Sequence, residues 1–115
     1  MYALKNKVQL IGHLGKNPEI KTMDNNKKVA RVSLATSESY KNSQDEKVTE
    51  TQWHNLVAWG KLADILEKYT AKGSEICVEG KLSYREYTDK EGVKKHITEI
   101  VVNEVLLLDK KESTV

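Results

Sequence analysis

The sequence predicts an all-β fold with a single helix, and three observations carry that prediction. Apolar and polar residues alternate in several short segments, which marks half-buried strands. Only one segment spaces its apolar residues as a helix does. Between the segments stand clusters of Gly, Asn and Asp, residues that tolerate tight turns.

The elements follow in order. "KVQLIGHLG", Lys7 to Gly15, alternates and ends at Gly15 ahead of the only proline, Pro18, so it reads as a strand and a turn. "KKVARVSLAT", Lys27 to Thr36, alternates as well. The Asp and Asn residues of "MDNNKK", Met23 to Lys28, are expected to pair these two strands as a hairpin. "SESYKNSQDEKVTE", Ser37 to Glu50, is too polar to bury and too long for a tight turn, so it is expected to be an exposed, mobile connection. "TETQWHNLVAWGK", Thr49 to Lys61, is the third predicted strand. In "KLADILEKYTAKGS", Leu62, Ile65, Leu66 and Tyr69 recur at helical spacing, and Gly73 supplies a stop. "EICVEGKLSYREY", Glu75 to Tyr87, is the fourth strand, with Gly80 as a bend or bulge. The charged loop "TDKEGVKK", Thr88 to Lys95, leads into the fifth, "HITEIVVNEVLLL", His96 to Leu108. Three strands, one helix and two strands is the layout of a five-stranded Greek-key barrel of the oligonucleotide-binding (OB) type, with its helix between strands 3 and 4.

A chain of 115 residues suits one domain, expected over residues 1–108, with 109–115 as a short polar tail. With no long apolar run, the sequence reads as soluble and cytoplasmic. A lone cysteine, Cys77, can form no internal disulfide and is expected to be a core thiol. His13, His54 and His96 lack metal-ligand spacing, and no Ser, His and Asp set suggests a nucleophile, so neither cofactor nor catalysis is expected. "GHLGK" lacks the gap and the Ser or Thr of a phosphate loop, and "DKEG" lacks the alternate ligands of a calcium loop. A barrel-based nuclease or ligase would rest on fold analogy alone. An RNA-binding barrel, or an accessory protein of replication, could use the same groove for a different partner.

A net charge of only +2 announces no partner by itself, so placement must decide. The chain has five Tyr, two Trp and no Phe, a choice suited to half-wet surfaces. By strand alternation Trp53, Asn55, Val57 and Trp59 share one face, and His54, Leu56 and Ala58 share the other. The second set fits a barrel interior, so both indoles face outward. The same parity puts Ile76, Val78 and Leu82 inside, and Lys81, Ser83, Arg85 and Tyr87 outside. Flat rings interleaved with cations suit a strand of unpaired bases.

"LIGHLGKNPEIK", "VSLATSESY", "TQWHNLVAWGKLA", "KGSEICVEGKL" and "ITEIVVNEV" resemble, in order and spacing from about Lys7 to Val105, the bacterial single-stranded DNA-binding proteins of replication, recombination and repair. The resemblance implies an OB barrel, a homotetramer that coats and protects single-stranded DNA without catalysis. It implies base-stacking aromatics at Tyr40, Trp53, Trp59 and Tyr87 and basic residues on the DNA path at Lys7, Lys21, Lys61, Lys72 and Arg85. Positions 40 and 87 hold tyrosine where the family usually has tryptophan, and Asn55 and Glu86 stand where relatives are often basic. His54 is implied in subunit contacts. The first strand and "IVVNEVLLL", apolar on both faces, are expected to supply pairing surfaces. The stretches from Tyr40 to Glu50 and Lys90 to Lys95 are expected to fold over the bound strand and add cations at its edges. Members typically continue into a flexible tail whose acidic, hydrophobic tip recruits replication and repair enzymes. This sequence ends at "DKKESTV" without such a tip, so replication and repair enzymes stand as possible partners while recruitment by that route is doubtful.

Overall fold

The structure, a computed structural model, describes residues 4–108; the expected tail, 109–115, lies outside the described residues. Six strands and one helix run in the order β1 (Val8–Leu14), β2 (Glu19–Thr22), β3 (Lys28–Lys41), β4 (Lys47–Trp59), α1 (Lys61–Tyr69), β5 (Glu75–Thr88) and β6 (Lys94–Leu107). They form one sheet in the order β1-β5-β6-β4-β3-β2, closed by an additional β1–β3 pairing. β1 and β2 act as two halves of a single first strand, broken between Gly15 and Pro18, so the barrel is five-stranded as expected. Its other seam is the parallel contact of β4 with β6, Leu56 opposite Ile100 and Val57 opposite Val101.

Two expectations for the first half of the chain need correction. The hairpin around Met23–Lys28 joins β3 to the short β2, Lys21 opposite Val29, and not to the first predicted strand. β1 meets β3 only at His13–Ala35 and Leu14–Leu34. Ile20 is the one apolar residue of β2, too little for a visible alternation. The stretch from Ser37 to Glu50 is exposed, as expected, but it is a paired ribbon rather than a loose connection. β3 and β4 stay in register out to Lys41 opposite Lys47. Hydroxyl pairs Ser37–Thr51 and Ser39–Thr49 tie the two strands, and the Asn42 side chain closes the turn by accepting the backbone N–H groups of Gln44 and Glu46. With both faces in water, such a ribbon has no apolar period to read. The later hairpin lies where expected, with β5 and β6 paired out to Thr88–Lys94 and the Asp89 side chain closing its turn.

Alternation fills the interior. Leu14, Val32, Leu34, Leu56, Ala58, Ile76, Val78, Ile100 and Val102 interdigitate within the barrel, and α1 closes one end with Ala63 and Leu66. Full burial of each large aliphatic side chain contributes about 1.5–3 kcal/mol, which fixes the register of every strand. Tyr69, at the end of α1, points away from this core and is exposed. Lys28 of β3 ties the helix down by ion pairs to Asp64 and Glu67, at 2.7 and 2.8 Å. Gly12 is where β1 is squeezed between β5 and β3, since a Cβ there would overlap the Ala35 carbonyl. The expected irregularity at Gly80 is a register shift between Glu79 and Gly80. Cys77 is only half-buried, on the outer side of β5 rather than in the core.

Candidate nucleic-acid interface

Residues paired across neighbouring strands point to the same side of a sheet. Trp59 is opposite Val29, which is opposite Lys21. Val57 is flanked by Arg31 on one side and Val101 on the other, and Val101 by Lys81. Asn55 is opposite Ser33, and Trp53 is opposite Ala35, which is opposite His13. On the other side of β4 the same face continues through Glu99–Ser83, Ile97–Arg85 and Lys95–Tyr87. Trp53, Trp59, Arg85 and Tyr87 therefore share one outward face of the barrel, with Lys21 at its rim.

The rings are accessible. Trp53 is 61% exposed, Trp59 42% and Tyr87 45%. Trp53 has a bed, because its six-membered ring lies over Gly15, where a Cβ would overlap Cζ3. Trp59 borders an open hollow formed with Met23, Asn25 and Lys27.

Between the aromatics lies a feature that sequence reasoning missed. Glu99, on β6, is 5% exposed although it belongs to the outward face. Both arginines of the chain cover it. Arg85 grips it from β5 with two hydrogen bonds, Nε to Oε1 at 3.2 Å and Nη2 to Oε2 at 2.9 Å. Arg31 reaches across Val57 from β3 and donates from Nη1 to Oε2 at 2.8 Å. The Arg85 hydrogen bonds hold the Glu99 carboxyl below the usual carboxylate range against the opposing pull of burial, with Arg31 adding to the effect. Arg85 is raised in return. A lone carboxylate inside the apolar run "ITEIVV" was the available signal, since a buried charge needs partners. An open cleft of about 170 Å³ lies against Arg31, Ser33, Asn55, Ile97 and Glu99.

The remaining sequence-derived residues are dispersed. By register Tyr40 lies on the opposite face of the β3–β4 ribbon from Trp53; it is 47% exposed, and its hydroxyl donates to Glu50 at 3.4 Å. Lys61 is exposed at the start of α1, two residues beyond Trp59. Lys72 sits in the turn before β5, where its backbone N–H bonds to the Asn17 side chain, close to the strand end that carries Gly15. Lys7 stands at the far end of β1 from the His13–Ala35–Trp53 row and is ion-paired with Glu79 at 3.6 Å. His54 points to the inner side, half-buried, with Nε2 at 2.9 Å from Thr36 Oγ1. Among the described residues no group of His, Cys, Asp and Glu could hold a metal ion.

Fold and face together define an OB-type barrel with a solvent-open aromatic surface edged by cations. The profile of the Single-strand binding protein family matches residues 5–108. Single-stranded DNA-binding protein 1 of Chlorobaculum tepidum is 46% identical over 109 residues, 94% of this chain and 67% of that protein. Among solved structures the fold resembles that of a Plasmodium falciparum SSB in complex with ssDNA, with a TM-score of 0.82, 34% identity, and coverage of 90% of this chain and 95% of that one. It also resembles a deletion mutant of the Thermus aquaticus single-stranded DNA binding protein, with a TM-score of 0.77, 25% identity, and coverage of 90% of this chain and 50% of that one. The chain belongs to the single-strand binding protein family, whose members are DNA-binding and non-enzymatic.

Gly15→Ala should lift the Trp53 ring from its bed, seen as red-shifted tryptophan emission and stronger acrylamide quenching; an unchanged spectrum would mean the ring does not rest there. Because folding depresses the Glu99 pKa, its stabilisation is complete above the ordinary value, about 4.3, and is lost as pH falls through the folded value. Urea midpoints taken from about pH 6 down to about pH 3 should therefore fall more steeply for the unaltered chain than for Glu99→Gln. Parallel slopes would remove Glu99 from the account.

Proposed function

We propose that this protein binds and protects single-stranded DNA without strong sequence preference during replication, recombination and repair. The observation that carries the reading is the pair of exposed indoles on one strand face, beside Arg85 and Tyr87. A base stacked on such a ring contributes roughly 1–3 kcal/mol, and every base has a flat face to offer. Trp53, Trp59 and Tyr87 are the proposed platforms along the face. Tyr40 would serve a strand that passes around the edge of the β3–β4 ribbon. Lys21, Lys61, Lys72 and Lys7 would neutralise phosphates, with log affinity falling by about 0.7 per phosphate for each log unit of salt.

Assembly as a homotetramer belongs to the same proposal. Its support is the outer side of β1, β5 and β6, where Ile11, Cys77 and Leu106 form one cross-strand row and both Ile11 and Leu106 are exposed. β1 also leaves an edge free over residues 8–11 among the described pairings, open to a second copy. His54 is the proposed subunit-contact residue near the ribbon base.

Trp53→Ala should weaken binding of oligothymidylate by about 1–3 kcal/mol, roughly 5- to 150-fold, with little change in unfolding midpoint. Unlabelled single-stranded DNA should displace the probe, whereas duplex or RNA of equal length should compete weakly. Sedimentation of both proteins should give the mass of four chains. Equal competition by duplex or RNA, or unchanged affinity of the variant, would contradict the reading.

A further inference from the structure

Glu99 is the only charged side chain among the described residues that is almost wholly buried, and it lies on the side of the sheet where a bound strand would run. A carboxylate beneath a phosphate path is unfavourable by simple charge counting. Two guanidinium groups and one carboxylate sum to a single positive charge. Apolar packing would have filled the position at less electrostatic cost, since a buried ion pair often stabilises no better than hydrophobic residues of similar volume. What the arrangement supplies is position. Arg31 and Arg85 come from strands on opposite sides of β6 and β4, and both would otherwise be long, mobile side chains. Glu99 pins both heads between the tryptophans of β4 and Tyr87 of β5 while leaving each side chain nearly half-exposed. A guanidinium has five N–H donors. The described hydrogen bonds use one on Arg31 and two on Arg85, so both retain donors and an exposed surface for a ligand.

We infer that Glu99 is a positioning residue for nucleic-acid binding, and that Arg31, through Glu99, is a further contact beside Arg85 in the centre of the aromatic face. This rests on the reading of the face as a single-strand site. Ordering two arginines before the ligand arrives lowers the conformational cost of binding them, while their charge is shared with the carboxylate. The centre of the face is thereby preorganised and gives up part of its phosphate attraction.

The two contributions separate with salt, because the electrostatic part vanishes on extrapolation to about 1 M and the remainder does not. The experiment is anisotropy of dye-labelled oligothymidylate over a salt series, with the unaltered protein, Glu99→Gln and Arg31→Met. Glu99→Gln should release both guanidinium groups to pair with phosphates, steepening the log–log salt slope by about 0.7 for each additional phosphate neutralised. The same variant should bind at least threefold more weakly at the 1 M extrapolation. Arg31→Met keeps an unbranched chain over Val57 and leaves Glu99 on Arg85. It should bind at least threefold more weakly at that extrapolation, with a slope no steeper than that of the unaltered chain.

A purely structural Glu99 would lower the unfolding midpoint and leave the slope of the folded fraction untouched, and that result overturns the inference. If Glu99→Gln does not fold, Arg31→Met decides alone, and unchanged affinity in it is the contrary outcome. Binding by the unaltered chain with no response in either variant fails this inference only. No binding by the unaltered chain fails the single-strand reading and this inference with it.

Discussion

A closed barrel has one interior, and a strand can offer it only every second side chain. Most of this molecule follows from that constraint. On β4 the interior takes Leu56 and Ala58, small enough to meet Val32 and Ala30 across the β3 ladder. Trp53 and Trp59 must then face out. A slip of one residue would turn two indoles into a space already filled and carry Leu56 into water. Exposure of the indoles is thus held in place by core packing some distance from any ligand. The same alternation on β5 and β6 sets Arg85, Tyr87 and Glu99 on the tryptophan side without any local preference of their own.

The aromatic face is more rigid at its centre than at its rim. Trp53 rests on Gly15, and Glu99 fastens both arginines to the sheet. Outward from there the cations are lysines on turns, on a helix start or on the short β2, compact charges on flexible stems. The two ribbons beyond the barrel, near Asn42 and Asp89, have few apolar contacts, which places them at the low end of local stability. A fixed centre suits stacking, which needs defined ring geometry. A compliant rim suits phosphates, whose spacing along a single strand varies.

Much of this was legible in the sequence because it depends on near neighbours. Alternation located the barrel strands, helical spacing located α1, and parity assigned the two faces of β4 correctly. Features without a local period were not legible. β2 has four residues and one apolar side chain, and the β3–β4 ribbon is wet on both sides, so neither shows a strand pattern. That Tyr40 lies on the other side of the ribbon from Trp53 follows from register, which composition does not encode. The clamp on Glu99 joins residues 68 positions apart, so only the folded topology reveals that Arg31 and Arg85 share one acceptor. Gly15 looked like a turn residue, and its second role, as the floor under Trp53, needed the ring in place.

The central claim is that the indoles are bare and meet the ligand directly. Its most direct measurement is the intrinsic tryptophan fluorescence of the unaltered protein titrated with oligothymidylate. Direct stacking predicts strong, saturable quenching whose midpoint moves to higher ligand concentration as salt rises. Emission that stays constant while the oligonucleotide demonstrably binds would contradict the account, because binding would then run past some other part of the surface.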